Sequence, residues 1–255
     1  MQLVDTHCHI QEPDYPLSVE EVEERAAAAD VTSMICVGTD ATTSEQAVDF
    51  VQNKQNKWAS IGLHPHDAKL GDDAFKTIKS LAGKPKVVAV GECGLDYFYG
   101  HSSKEDQARA LRSQIELAQK HGLPLIFHVR DAFDDFWQIF DKYKNLRGVV
   151  HSFTDSQVNL NKAIERGLYV GVNGIATFTK VEAQREMYKA IPLTHLLLET
   201  DAPFLTPHPF RGSVNEPAHV RTVAEFLAEL RNEPLDAIAA QTTKNAQTLF
   251  KLQND

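Results

Sequence analysis

Histidines and carboxylates stand at the ends of short apolar runs along this chain. His7 and His9 follow the apolar residues Leu3 and Val4. Alternate side chains of a β-strand share a face, so we expect both imidazoles to point one way and Cys8 the other. Surface and cap histidines are common, and such a pair is only half of a metal site. Four further residues strengthen the pair, because each closes an apolar run of its own: Glu92, His128, His151 and Asp201.

These six residues suit a centre for divalent cations. Three or more histidines with carboxylates, and no inward cysteine, favour Zn²⁺, Mn²⁺ or Fe²⁺, or Mg²⁺ where carboxylate and substrate oxygens dominate. Six ligands exceed what one catalytic ion with open positions needs, so we expect two divalent ions bridged by Glu92. A buried ion pair would explain Glu92 alone, and a core histidine would explain His128 or His151 alone. For all six residues, such separate explanations would require six unrelated coincidences.

The expected chemistry is hydrolysis by water. Two cations would lower the pKa of a bridging water and neutralise charge on a phosphoryl oxygen. We expect Asp201 to bind an ion through one oxygen and to accept the proton of the water through the other. The alternative for Asp201 is a simple ligand. Glu92 and His64 complete the set of candidate catalytic residues.

The elements that must position these residues alternate along the chain. Apolar runs and segments of helical periodicity follow one another eight times, which predicts an α/β fold of the (β/α)8 TIM-barrel class. Active sites of such barrels lie at the carboxyl ends of the strands, where the six candidates fall. The predicted strands begin at Leu3 and then cover Ser33–Val37, Ala59–Leu63, Val87–Glu92, Leu125–His128, Gly148–His151, Leu168–Val172 and Leu196–Glu199. The predicted helices begin at Ser18 and Ser103 and cover Thr43–Gln55, Asp72–Leu81, Asp131–Tyr143, Ser156–Arg166, Val181–Ala190, Pro217–Leu230 and Pro234–Leu249.

Length and composition limit the function classes. A chain of 255 residues fits one barrel, so we expect a single domain over residues 1–255. A net charge of −9 argues against a protein that coats nucleic acid through a basic surface, and a polyanionic substrate would need metal ions or local arginines. No apolar run reaches membrane length and no signal peptide is evident, so we expect a cytoplasmic protein. Three cysteines without paired spacing indicate reduced, buried side chains.

The sequence also resembles the TatD-type metal-dependent hydrolases, a family of deoxyribonucleases within the amidohydrolase-like barrels. The resemblance covers essentially the whole chain. It implies one ion held by His7, His9, Glu92 and Asp201, and a second held by Glu92, His128 and His151. The matching stretches are Asp5-Thr6-His7-Cys8-His9, Ile61-Gly62-Leu63-His64-Pro65, Gly91-Glu92-Cys93-Gly94-Leu95-Asp96-Tyr97, His128-Val129-Arg130, His151-Ser152-Phe153-Thr154, Glu199-Thr200-Asp201-Ala202-Pro203, Arg211-Gly212 and Asn215-Glu216-Pro217. Asp155, where Gly is frequent, and Asn173, where a small hydroxyl residue is frequent, depart from the pattern and put substrate preference in question.

Three residues beside the ligands are candidate substrate contacts. Arg130 and Arg211 are expected to grip phosphates, with ion pairs to Asp131 or Glu216 as the alternative. His64, in a proline-bounded turn, is expected to contact a phosphate oxygen, or else to hold its loop by a hydrogen bond.

Two further groups have expected supporting roles. Glu199 is expected to orient a histidine or a loop. The run from Tyr97 to Tyr99 offers rings for base stacking, or for packing under a loop.

We therefore expect a two-metal phosphodiesterase of the TatD type that acts on DNA, at ends or on single strands. No membrane and no obligate protein partner are expected. The alternative is an amide, lactone or acyl-ester hydrolase, because two-metal chemistry attacks carbonyl carbon as well as phosphorus. A metal-sequestering protein would need a site closed to water, and the loop-rich mouth argues against it.

Overall fold

The computed structural model describes residues 1–252, in which all eight strands belong to one sheet and follow chain order. The pairs β1–β2, β3–β4, β4–β5, β5–β6 and β7–β8 run parallel. The strands are β1 (Leu3–Cys8), β2 (Val31–Val37), β3 (Lys57–Ile61), β4 (Val87–Asp96), β5 (Leu125–Arg130), β6 (Gly148–Val150), β7 (Tyr169–Val172) and β8 (Leu196–Leu198). The helices are α1 (Val19–Ala28), α2 (Ala41–Val51), α3 (Gly71–Leu81), α4 (Lys104–His121), α5 (Phe133–Phe140), α6 (Gln157–Glu165), α7 (Ile175–Phe178), α8 (Glu182–Ala190), α9 (Val220–Arg231) and α10 (Leu235–Phe250).

The first strand lies beside the segment that follows the last one. Cys8 pairs with Ala202 in parallel, and the backbone N–H of His9 donates to the carbonyl of Ala202 at 2.8 Å. The backbone N–H of Asp201 donates to the carbonyl of His7, also at 2.8 Å. The strand order therefore returns to its beginning, as in a (β/α)8 barrel, and the predicted fold class is confirmed.

The described residues group into two compact units. Unit 1 comprises Met1–Cys36 and the chain from Ser152 onward, and unit 2 comprises Val37–His151. The expectation of one domain over residues 1–255 stays a prediction, and residues 253–255 lie outside the described part of the chain. No helix among the described residues is long and apolar enough to cross a membrane.

In unit 1, side chains of α10 hold the starts of two strands. The Thr243 hydroxyl donates to the carbonyl of Gln2, immediately before β1, at 2.8 Å. The Asn245 amide donates to the carbonyls of Leu193 and Leu196, at the start of β8, at 2.8 Å each. These bonds fix the amino-terminal ends of β1 and β8. The candidate site residues His7, His9 and Asp201 lie at or after the carboxyl ends of the same strands.

In unit 2, two buried glutamines of α4 hold backbone segments by hydrogen bonds. The Gln114 amide accepts from the N–H of Leu63 at 2.8 Å and donates to its carbonyl at 3.0 Å. Gln107 makes the same pair of bonds with the backbone of Asp96, at 2.8 and 2.9 Å. Each amide satisfies both backbone groups of one residue, so α4 fixes two segments that carry polar side chains.

Two strands continue past their predicted ends, β4 to Asp96 and β5 to Arg130. Glu92 and His128 therefore lie inside strands. Glycine makes the longer pairing possible: Gly94 has a φ of 155°, and a Cβ there would lie 1.8 Å from the carbonyl oxygen of His128. The charged residue Glu92 after an apolar run predicts a strand end, whereas β4 continues through Glu92.

Helix bounds also differ from the predicted ones. Helix α2 begins at Ala41, before the predicted Thr43, because the Asp40 carboxylate accepts from the N–H of Thr43 at 2.7 Å. The Thr43 hydroxyl accepts from the N–H of Asp40 in return, at 2.9 Å, which completes a capping box. Helix α5 begins at Phe133 rather than Asp131, whose φ of 52° is left-handed. The four-residue helix α7 is too short to produce a periodic signal.

Candidate metal centre

The unit 1 cluster consists of His7, His9 and Asp201. The Nε2 atoms of the two histidines lie 3.2 Å apart, and Asp201 Oδ1 lies 3.5 Å from that of His7 and 3.4 Å from that of His9. The histidines are buried, and the Asp201 side chain is 16% exposed. The three ligand atoms lie within 4.8 Å of one another, a spacing that suits coordination of one cation. The prediction that both imidazoles share a face is confirmed.

A buried carboxyl positions this cluster. Asp5 Oδ1 accepts from the backbone N–H of His7 at 3.2 Å and from that of Thr200 at 3.0 Å, and Oδ2 accepts from the Thr200 hydroxyl at 2.5 Å. Burial raises the pKa of Asp5 to about 8, although these hydrogen bonds act in the opposite direction. Asp5 thus ties β1 to the residue before Asp201, a role that sequence reasoning missed although Asp5 opens the His7 motif.

The unit 2 cluster consists of Glu92, His64, His128 and His151. Three imidazole nitrogens face one oxygen, Glu92 Oε1: His151 Nε2 at 2.7 Å, His128 Nδ1 at 2.8 Å and His64 Nε2 at 3.5 Å. The Glu92 side chain is only 5% exposed. One carboxylate thus collects the imidazoles of three predicted site residues, His64, His128 and His151.

The electrostatics of the unit 2 cluster favour the binding of a cation. Burial alone would raise the pKa of Glu92, but the imidazoles of His151 and His64 and the hydrogen bond with His128 bring it well below its ordinary value. Burial alone would lower the pKa of His128, but hydrogen bonds with Asp96 and Glu92 raise it. A buried carboxylate that stays ionised among imidazoles is the environment that a divalent cation requires.

Asp96 is the residue of this cluster that sequence reasoning missed. Its side chain is fully buried, and Oδ2 lies 3.0 Å from His128 Nε2 and 3.0 Å from His66 Nε2. Burial would raise the pKa of Asp96, yet the hydrogen bond with His128 and others lower it below its usual range. A carboxylate on the outer nitrogen of a ligand histidine fixes the ring and its tautomer. The signal was available in the Gly91 to Asp96 motif, as a second carboxylate four residues after Glu92.

His64 belongs to the unit 2 cluster rather than to an open loop. Its Nδ1 accepts from the backbone N–H of His66 at 3.2 Å, and Nε2 is the atom that faces Glu92. Burial lowers the pKa of His64 to about 4, so the ring is neutral at pH 7. A neutral imidazole donates one hydrogen bond and supplies no positive charge. The expected phosphate contact by His64 stays a prediction.

The two candidate phosphate arginines are exposed and lie over aromatic rings. The Arg130 guanidinium is 4.0 Å from the ring centroid of Phe98, and the Arg211 guanidinium is 3.9 Å from that of Phe178. Arg211 also donates to the carbonyl of Thr206 at 2.8 Å. The alternative ion pair of Arg211 with Glu216 is not what the structure has, because Glu216 accepts bonds of 2.6 to 3.0 Å from Arg25.

The residues around Glu199 agree with the expected supporting role. Glu199 Oε1 accepts from the backbone N–H of Ser152, the residue after His151, at 2.5 Å. The Asn173 amide donates to the Ser152 hydroxyl at 2.9 Å. Asn173 therefore helps to hold this turn, and Asp155 accepts from the N–H of Ser156 at 2.6 Å, before α6.

The cysteines lie away from the ligand atoms, as strand alternation predicts. Cys8 and Cys93 are fully buried, and their sulfurs contact the carbonyls of Ile35 and Ile126 at 3.6 and 3.7 Å. No metal-capable group found among residues 1–252 includes a cysteine.

Cys8→Ser with Cys93→Ser is expected to leave the bound metal unchanged, because neither sulfur belongs to a cluster. Elemental analysis of the purified double variant measures this, with circular dichroism to establish folding. A folded variant that has lost metal would refute the alternation argument.

The model of the TatD-related DNase family matches residues 4–251. The chain belongs to this family. It is 40% identical to the uncharacterized metal-dependent hydrolase YabD of Bacillus subtilis, over 98% of this chain and 99% of that protein. It is 36% identical to the 3'-5' ssDNA/RNA exonuclease TatD of Salmonella typhimurium, over 91% of this chain and 93% of that protein.

Solved structures agree with this family assignment. The crystal structure of YjjV, a TatD homologue from Escherichia coli, superposes with a TM-score of 0.92 at 33% identity and covers 98% of each chain. An uncharacterized amidohydrolase from Saccharomyces cerevisiae, at 22% identity and a TM-score of 0.84, shares the fold. The expectations of a TIM barrel and of a metal-dependent hydrolase are confirmed.

Proposed function

We propose that this TatD-family hydrolase is a nuclease that cleaves phosphodiester bonds of DNA, at ends or in single strands, with two divalent ions of Mg²⁺, Mn²⁺ or Zn²⁺. The observation that carries the proposal is the convergence of three imidazoles on Glu92 in unit 2, and unit 1 has its own group of two histidines and Asp201. Family membership and the ssDNA/RNA exonuclease name of the Salmonella relative support the nucleic-acid substrate. A cytoplasmic location, without an obligate protein partner, is part of the same proposal.

The donor sets of both clusters fit divalent ions. In unit 1, His7, His9 and Asp201 would hold one ion, and in unit 2 Glu92, His128 and His151 would hold the other, because imidazole nitrogen and carboxylate oxygen suit these metals. Such ions lower the pKa of a water and offset negative charge on a phosphoryl oxygen. The assignment of Glu92 as a bridge that also reaches the ion of unit 1 remains a prediction.

The protein groups then have separate tasks. Asp201 accepts the proton of the attacking water, since its Oδ1 faces both histidines of unit 1 and a carboxylate has a second basic oxygen. Asp96 holds the His128 ring through Nε2, which leaves Nδ1 directed at Glu92. Asp5 holds His7 and Thr200 through their backbones. His64, neutral and partly buried, is suited to donate a hydrogen bond rather than to attract an anion.

Arg130→Ala is expected to raise KM for a DNA oligonucleotide with a smaller change in kcat. An arginine that grips a phosphate away from the reacting bond binds the ground state and the transition state equally. A charge-assisted contact of about 1.5 to 3 kcal/mol corresponds to roughly a tenfold to hundredfold change. Steady-state kinetics measure this, with exposed Arg112→Ala on α4 as the matched control. Unchanged KM in Arg130→Ala would exclude the phosphate role.

Assays on purified protein test the proposed function. Single-stranded and duplex DNA, an acyl ester, a lactone and an amide are supplied with Mg²⁺, Mn²⁺ and Zn²⁺ in turn. We expect metal-dependent cleavage of DNA and lower turnover of the carbonyl substrates. Efficient ester, lactone or amide hydrolysis without cleavage of DNA would contradict the proposal and support a carbonyl hydrolase on the same fold.

A further inference from the structure

Two aromatic rings are exposed immediately after β4. Phe98 is 56% exposed and Tyr99 is 52% exposed. Their ring centroids are 4.8 Å apart, at 86° to each other, and the Arg130 guanidinium lies 4.0 Å from the first and 4.8 Å from the second. Water-exposed rings beside an exposed guanidinium offer both an apolar face and positive charge at one place on unit 2.

The turn that carries these rings is fixed to the unit 2 cluster. Asp96 Oδ1 accepts from the backbone N–H of Phe98 at 2.9 Å and from that of Tyr99 at 3.1 Å. The other oxygen of Asp96 lies 3.0 Å from His128 Nε2. One buried carboxylate therefore holds both the aromatic turn and a candidate metal ligand, so the rings have a defined position relative to the unit 2 cluster.

Phe98 is the ring most suited to meet a ligand. Tyr97 is used in packing, because its hydroxyl donates to Asp135 at 2.8 Å and Lys104 lies 3.9 Å from its ring centroid. Tyr99 is stacked on His101, with centroids 5.7 Å apart and an angle of 16°. Phe98 stays more than half exposed even though Arg130 lies over its ring.

We propose that Phe98 and Arg130 form a stacking platform for one unpaired base of single-stranded nucleic acid. Every base has a π-face that stacks on an aromatic ring, and the guanidinium adds a second plane together with donors for phosphate. A base in a duplex is already stacked and paired, so the platform selects single strands without selecting sequence. This inference rests on the proposed nuclease function, because it assumes that the strand is the substrate.

Kinetics of four variants on a single-stranded oligonucleotide test the platform. Phe98→Ala is expected to raise KM by about fivefold to a hundredfold, the range for loss of one stacked base, with little change in kcat. Phe98→Leu keeps apolar bulk without a ring and should resemble the alanine variant, whereas Phe98→Tyr keeps the ring and should resemble wild type. Val158→Ala, at an exposed position of α6, is the control and should not change KM.

Abasic substitution locates the stacked nucleotide. In a series of oligonucleotides with a single abasic residue at successive positions, wild type is expected to show a raised KM for one position. That increase should be absent in Phe98→Ala, which has already lost the stack. Wild-type KM in both Phe98→Ala and Phe98→Leu, or an abasic effect that persists in them, would overturn the platform. If wild type cleaves no oligonucleotide with any of the three ions, the proposed nuclease function itself fails.

Discussion

Asp201→Asn is expected to lower kcat on a DNA oligonucleotide by about 10² to 10⁴-fold, the usual contribution of a general base, with little change in KM. Asparagine keeps the size of the side chain and one oxygen for the ion, but it cannot take a proton. It also suits the backbone, because Asp201 has a left-handed φ of 60° that asparagine tolerates. The loss should therefore report chemistry rather than misfolding.

The Asp201→Asn comparison needs the metal content to be equal. Asp201 is also a proposed ligand in the unit 1 cluster, so an empty site would imitate a lost base. Elemental analysis precedes the kinetics, and Asp236→Asn, at an exposed position in the first turn of α10, provides a matched control. Near wild-type kcat in a metal-replete Asp201→Asn variant would show that another group accepts the proton.

Glu92→Gln is expected to weaken both ions and to lower kcat/KM by more than about a hundredfold, since even loss of an outer partner of a ligand costs about 10 to 100-fold. Glutamine keeps the shape but removes the charge that faces His64, His128 and His151. If Glu92 also bridges to the ion of unit 1, that ion weakens as well. His7→Ala should chiefly affect one ion.

Metal stoichiometry separates these possibilities for Glu92. Two ions should be lost or weakened in Glu92→Gln and one in His7→Ala, measured by elemental analysis after equal dialysis. Retention of two tightly held ions by Glu92→Gln would exclude Glu92 as the bridge. Loss of a single ion would limit Glu92 to the unit 2 cluster.

The alternation of side chains between the two faces of a β-strand was sufficient to predict part of the site. His7 and His9 on one face, with Cys8 opposite, follow from a period of two residues, and the 3.2 Å between the Nε2 atoms agrees. The gathering of His128 and His151 at Glu92 follows from the parallel pairing of β4 with β5 and of β5 with β6, which makes the three segments neighbours. Both inferences depend only on local geometry and strand order, which the hydrophobic pattern carries.

Residues that position other residues could not be predicted from the sequence pattern. Asp96 lies beyond the end of the predicted strand Val87–Glu92, because the charged Glu92 interrupts the apolar run. Only the close approach of Gly94 to the backbone of β5 shows that pairing continues and brings Asp96 to His128. Asp5 opens the His7 motif, but its role depends on a hydrogen bond with Thr200, which is distant in the chain. Such contacts arise from tertiary structure and leave no periodic signal.

The most direct test of two-metal phosphodiester hydrolysis is a titration of metal-free protein with Mn²⁺, in which bound ions per chain and cleavage of a single-stranded DNA oligonucleotide are followed together. We expect cleavage to rise as the second ion binds, to reach its maximum at two ions per chain, and to be abolished by a chelator. Full cleavage at one ion per chain, or cleavage that persists after complete removal of metal, would contradict a mechanism that uses both clusters.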